Sequence, residues 1–238
     1  MRILLTNDDS ISASQLIPLI KRCRQLGEVT TVVPKLEQSG KSPGVELRKC
    51  FEVRTVEPEP GIVIYTVDST PADCVRFAVL GMHMEFDLVI SGINCGYNMG
   101  TDILYSGTVG AVSEAAILGI KGIAISTSRV CYDRVMPHLD TVFEYLQQHR
   151  LLEKHSSYNI NIPPNPTQVR ITHQGGNYYT DDFVPRGNDM YEPVGRCIYE
   201  NRNDLTLDTD AVKSGCISIM PLTIERTDWE AYRRLTES

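Results

Sequence analysis

ILLTNDDS, residues 3–10, is a short apolar run that ends in an amide and two adjacent carboxylates, Asn7, Asp8 and Asp9. The run reads as a buried strand, and the polar residues after it are turn formers. Working outward, residues 14–26 place Leu16, Leu19, Ile20, Cys23 and Leu26 at helical spacing, with Gly27 as a stop. EVTTVVP (28–34) is a β-branched run and a second strand. Strand, helix, strand in that order predicts a parallel sheet with right-handed crossovers. GIVIYTV (61–67), FDLVISGIN (86–94) and IKGIAIS (120–126) read as further strands. Between them stand two helices, one opened by Thr70 as N-cap with Pro71 and Asp73 in its first turn, the other running from SGTVG to Gly119. A helix is expected over 134–150. The fold class is therefore α/β, a doubly wound, mostly parallel sheet, with a catalytic core over 1–154. Residues 155–238 change composition: NINIPPNP is proline-punctuated, and Asn, Asp, Tyr and Gly become frequent. This part is expected to be a β-rich C-terminal extension that does not fold independently, with short strands near 168–173, 194–200 and 215–220 around a loop-rich middle.

Adjacent carboxylates raise each other's pKa and destabilise the fold unless a cation or several donors compensate them. Three polar turns directly follow strands or nearly so: TNDDS, QSGKS (38–42) and SGINCGYN (91–98). A fourth, YSGTVG (105–110), opens a helix. Loops at the carboxyl ends of parallel strands gather in one crevice, so these turns are expected to meet. Asp8, Asp9, Asn94 and Ser39 then form an oxygen-rich donor set without His or Cys, which suits Mg²⁺ or Mn²⁺ better than Zn²⁺. A glycine flanked by hydroxyls at a helix start presents free N–H groups and a positive dipole end, the makings of a phosphate cradle. Each motif alone also has a structural explanation as a cap, a turn or a close packing contact. Their joint position at strand ends is what points to metal-assisted phosphoryl hydrolysis.

Composition narrows the field. The 238 residues are 42% hydrophobic and carry a net charge of −7, which disfavours a polymeric nucleic acid as ligand. The seven cysteines include no Cys-x-x-Cys pair, which argues against a disulfide framework or zinc ribbon. No apolar run reaches the roughly 20 residues of a membrane span, and no signal peptide precedes the first strand, so a cytoplasmic setting is expected. The P-loop pattern is absent.

NDDS, QSGKS, TPADCV, DLVISGINCGYNMGTDILYSGTVGAVSEA, NINIP and TDAVKSGCISIMPL together resemble the SurE family, stationary-phase survival proteins that act as 5′/3′-nucleotidases. The resemblance implies a Rossmann-like core and a C-terminal segment exchanged within a homodimer or homotetramer. It implies one divalent cation held at Asp8, Asp9, Ser39 and Asn94. Phosphate contacts fall at Ser39, Gly40, Asn98, Ser106, Gly107 and Thr108. It also implies hydrolysis of nucleoside 5′- and 3′-monophosphates, with Asp8 and Asp9 as the catalytic pair and possible exopolyphosphatase activity. Two readings stand beside it: a phosphoaspartate-type phosphatase, and a metal-dependent nucleotide sensor without turnover. One departure is visible, because the family has Gly where this chain has Ser10. If that turn requires a positive φ, serine is disfavoured there.

Overall fold

A computed structural model describes residues 1–41 and 44–236; Ser42, the last residue of QSGKS, and the terminal Glu237 and Ser238 lie outside it. Eleven strands and seven helices are formed by the described residues. In chain order the strands are β1 (Arg2–Thr6), β2 (Glu28–Pro34), β3 (Val53–Glu59), β4 (Ile62–Val67), β5 (Leu88–Cys95), β6 (Lys121–Thr127), β7 (Ser157–Ile162), β8 (Gln168–Ile171), β9 (Tyr179–Gly187), β10 (Met190–Cys197) and β11 (Cys216–Pro221). The helices are α1 (Leu16–Cys23), α2 (Pro71–Arg76), α3 (Gly107–Ile117), α4 (Met136–Gln148), α5 (Leu151–Lys154), α6 (Asp208–Lys213) and α7 (Trp229–Thr236). Nine strands form one sheet in the order β3-β4-β2-β1-β5-β6-β7-β11-β8, and β9 and β10 form a separate hairpin. All pairings in the large sheet are parallel except β3 with β4 and β7 with β11.

The sheet is covered on both faces, and β1 shows why its sequence is continuously apolar. Ile3 and Leu5 point to one side, against Leu16, Leu19 and Ile20 of α1 in a cluster that also holds Leu139 and Val142 of α4. Leu4 points to the other, in a cluster with Cys74 and Val75 of α2 and Ala111 and Ala115 of α3. Burying each such side chain contributes about 1.5–3 kcal/mol. Thr70 caps α2 as its residue type implies, its Oγ1 accepting from the Asp73 N–H at 3.1 Å. The helix then loosens into a π-helical turn, Phe77–Gly81.

From β1 the chain moves outward to β2 on one side, and later from β5 to β6 on the other. The reversal between β1 and β5 opens a crevice at their carboxyl ends. Residues beyond 154 add β7, β11 and β8 to the same sheet. The strand expected near 194–200 is the second half of β10, and the loop-rich stretch before it is instead β9 and the start of β10, a long hairpin closed by Asn188 and Asp189, both at positive φ. Asn and Asp tolerate that conformation, which suits a tight hairpin turn. β7 is a second addition to the expected set, hidden by the prolines that follow it: all six of its residues are buried.

Candidate active site

The turn after β1 delivers the two carboxylates to that crevice. Asn7 closes the turn, its Nδ2 donating to the Ser10 carbonyl at 2.8 Å, and Ser10 has φ +70°. This is the conformation in which serine is disfavoured relative to glycine. Asp8 is only 3% exposed, and its Oδ1 accepts the Thr108 hydroxyl at 2.7 Å. Asp9 turns the other way, its Oδ2 accepting the Cys95 N–H at 3.0 Å from the end of β5. Burial pushes the Asp8 pKa up to about 6, opposed by the Thr108 hydrogen bond and reinforced by the charge of Asp9. Burial likewise raises Asp9, opposed by the Cys95 N–H. Among the described residues neither carboxylate has an ion-pair partner. Asp8 is therefore desolvated and Asp9 partly so, and among the described residues the pair is offset chiefly by the Thr108 hydroxyl, the Cys95 N–H and the more distant charge of Arg129.

The start of α3 is built against this pair. Ser106 is the N-cap, its Oγ accepting from the Val109 N–H at 3.1 Å. A Cβ at Gly107 would stand 3.0 Å from the Cβ of Asp8 and 3.2 Å from its Oδ2, so glycine lets the helix approach the carboxylate. Thr108 is fully buried and its hydroxyl is committed to Asp8. The turn after β2 closes on the same place, with the Gln38 N–H donating to the Asp8 carbonyl at 2.8 Å. In that turn Gly40 has φ +70°, and the exposed Ser39 donates its hydroxyl to Glu37 at 2.7 Å.

Asp8, Ser39, Gly40, Asn94, Asn98 and Ser106 line one pocket of about 190 Å³, with Cys95, Asp102 and Tyr105 completing it. Asp9, Gly107 and Thr108 adjoin lining residues in the chain but are not themselves part of this lining. The Asn94 amide nitrogen donates to the Gly96 carbonyl at 2.7 Å, leaving its carbonyl oxygen as the coordinating end. Asn98 is anchored from beneath: its N–H donates to Asn161 Oδ1 at 2.9 Å, and its carbonyl accepts from the amides of Asn159 and Asn161, each at 2.7 Å. The two asparagines of NINIP are thus the buried support of a pocket residue. Their alternation in a β-branched run was the available signal, since a buried amide needs a partner.

Asp102 and Tyr105 went unrecognised as pocket residues. They belong to a 3₁₀ segment, Gly100–Tyr105, that forms one wall. Its shape is held from outside the pocket. A Cβ at Gly100 (φ +58°) would fall 2.0 Å from the Gly176 carbonyl oxygen. The Gly100 N–H donates to Asp208 Oδ2 at 2.9 Å, and Thr101 donates to Asn177 Oδ1 at 2.8 Å. The segment beyond residue 154 therefore shapes the pocket.

A divalent cation fits this donor set by its chemistry. Asp8 lines the pocket with the Asn94 amide and the Ser39 hydroxyl, Asp9 adjoins it in the chain, and neither carboxylate has an ion-pair partner among the described residues. No cluster of three or more His, Cys, Asp or Glu side chains suited to a metal occurs among the described residues. Two carboxylates with amide and hydroxyl oxygens remain the candidate set.

Comparison with known proteins agrees with the geometry. The family described as Survival protein SurE matches residues 3–181. The chain is 37% identical to the 5′-nucleotidase SurE of Caldanaerobacter subterraneus subsp. tengcongensis, over 98% of this chain and 96% of that one. It is 34% identical to the 5′-nucleotidase SurE of Thermosipho melanesiensis, over 100% and 97%. The crystal structure of the Aquifex aeolicus SurE protein superposes with a TM-score of 0.81 at 28% identity, covering 100% of this chain and 99% of the other. With its doubly wound sheet and the carboxylate pair at the sheet's switch point, the chain belongs to the SurE family.

Proposed function

We propose that the chain is a divalent-metal-dependent phosphomonoesterase that hydrolyses nucleoside 5′- and 3′-monophosphates to nucleoside and phosphate. The observation that carries this is the adjacent pair of buried Asp8 and half-buried Asp9, with no ion pair among the described residues, beside the Ser106–Gly107–Thr108 helix start. Its relatives named 5′-nucleotidase SurE support the same reading. Asp8, Asp9, Ser39 and Asn94 would hold one Mg²⁺ or Mn²⁺. When bound, the ion polarises a phosphate oxygen and makes bound water a better nucleophile. Within the chain, the carboxylate pair orients the attacking water and takes its proton. Asn98, Gly40 and the Ser106–Gly107 backbone hold the remaining phosphate oxygens and stabilise the charge that develops on them. Thr108 acts on the reaction through Asp8, whose carboxylate its hydroxyl orients. Water approaches opposite the ester oxygen, whose bond to phosphorus breaks, and the departing nucleoside oxygen takes a proton from solvent.

The same proposal includes a homodimer or homotetramer with exchanged C-terminal segments, a cytoplasmic location, and activity on short polyphosphate. No helix among the described residues is long and apolar enough to cross a membrane.

The test is phosphate release from 5′- and 3′-mononucleotides in EDTA, and again after Mg²⁺ or Mn²⁺ is restored. Release abolished by EDTA and recovered with metal is expected. Tight binding of a monophosphate with no release under any metal would overturn the enzyme in favour of a sensor.

A further inference from the structure

Among the described residues the pocket has one aromatic lining residue, Tyr105, and it is 66% exposed. Its ring contacts no other aromatic ring and its hydroxyl makes no hydrogen bond among the described residues. Leaving a large aromatic side chain in water forgoes its burial, so a tyrosine in this position is informative when it borders a pocket. It is also held firmly by its backbone. Tyr105 ends the 3₁₀ segment that Gly100, Thr101 and the Asp208 carboxylate fasten from outside, and it directly precedes the N-cap Ser106. The backbone that carries the ring is thus fixed next to the candidate phosphate cradle.

We infer that Tyr105 is the nucleobase platform of this site: the substrate's base stacks on its ring while the phosphate sits at Ser106–Gly107. This rests on the nucleotidase reading and deepens it. No amide or charged group lines the pocket beyond those already assigned to phosphate or metal, apart from Asp102. Recognition by an aromatic face, rather than by hydrogen bonds to base edges, tolerates any base, because every base has a π-face. The site should therefore separate nucleotides from baseless phosphate esters more sharply than it separates one base from another.

The experiment compares KM for AMP, CMP and ribose 5-phosphate in the wild type and in Tyr105→Ala, Tyr105→Phe and Tyr105→Trp, with melting temperatures for each. The wild type should show a lower KM for both nucleotides than for ribose 5-phosphate. Tyr105→Ala should raise the nucleotide KM by at least about fivefold and leave that for ribose 5-phosphate within about twofold. Phe and Trp, which keep a stacking face, should stay close to the wild type. An equal change on all three substrates, or no change, would overturn the platform. So would a Phe variant as impaired as the Ala variant, since the hydroxyl would then be the contact. A wild type that hydrolyses ribose 5-phosphate but neither nucleotide would instead sink the nucleotidase reading itself.

Discussion

Asp8, which lines the pocket, and Asp208, at the start of α6 and bonded to the wall segment, are both buried aspartates, but they are satisfied in opposite ways. Asp208 accepts three backbone N–H groups: Gly175 and Thr209 on Oδ1, each at 2.7 Å, and Gly100 on Oδ2 at 2.9 Å. Asp8 accepts the Thr108 hydroxyl, is helped less by the backbone N–H groups of Thr108 and of Asp8 itself, and lies next to a second carboxylate. Burial raises the pKa of both, but at Asp208 three backbone donors oppose the rise. A buried carboxylate with its lone pairs occupied holds a structure together. A buried carboxylate short of donors and facing a pocket is a functional-site candidate, because the fold is less stable for keeping it. The difference lies in the partners, since burial is nearly the same.

The comparison can be broken first at Asp8. Asp8→Asn and Asp9→Asn should each lower phosphate release by at least about a thousandfold. Metal-free Asp8→Asn should nevertheless be no less stable than metal-free wild type at pH 7. The sign follows from the raised native pKa. With Asp8 at about 6 when folded against 3.8 when free, the native state binds the extra proton between those values. Stability of the metal-free wild type therefore falls as pH rises from about 4 through about 6, by up to about 3 kcal/mol for this group. Urea unfolding in EDTA at pH 4.5 and pH 7 would reveal that slope in the wild type and its loss in Asp8→Asn. An identical slope in both would show that Asp8 is compensated in the fold after all.

Asp208→Asn should do the reverse. Its new NH₂ group faces N–H donors, so about 2–3 kcal/mol of stability should be lost. Affinity for Mn²⁺, titrated below the lowered melting temperature, should stay within about threefold of wild type. A large loss of metal affinity with unchanged stability would erase the distinction between the two aspartates. The smallest effect is expected at Ser10. Glycine there relieves the positive φ but loses the Ser10–Ser12 side-chain hydrogen bonds, so a gain of about 0.5–1 kcal/mol is expected, measurable as a higher melting temperature. A lower melting temperature would mean that those hydrogen bonds outweigh the backbone strain.

The parts of this contrast that are local in the chain are legible without coordinates. The Ile3–Leu5 run, the turn chemistry of Asn7–Ser10 and the Thr70 cap each carry their reading within a few residues. Parallel topology then brings Asp8, Ser39, Asn94 and Ser106 to one pocket, because it sends successive strand ends to the same edge. What stays hidden depends on pairings across long separations. β7 is masked because Asn159 and Asn161 look like loop residues until Asn98, some 60 positions earlier, is found beneath them. Asp208 is unremarkable until Gly100, 108 positions away, is seen to donate to it. Asp102 and Tyr105 are pocket residues only because that distant segment folds the wall inward. Of the β9–β10 hairpin only the end of β10 is legible, because Asp181, Asp182 and Pro185 read as loop composition and exposed strand residues need no apolar alternation.

The missing side chain at Gly107 bears on how such a site diversifies. An alanine there would have to displace Asp8 by a few tenths of an ångström, whereas Tyr105, two residues earlier, is largely exposed. Two nearly adjacent positions thus stand at opposite ends of mutational freedom. A random library over residues 105–108 should return active clones that vary at the first of the four and hold glycine at the third, so substrate preference can drift without disturbing the reaction centre.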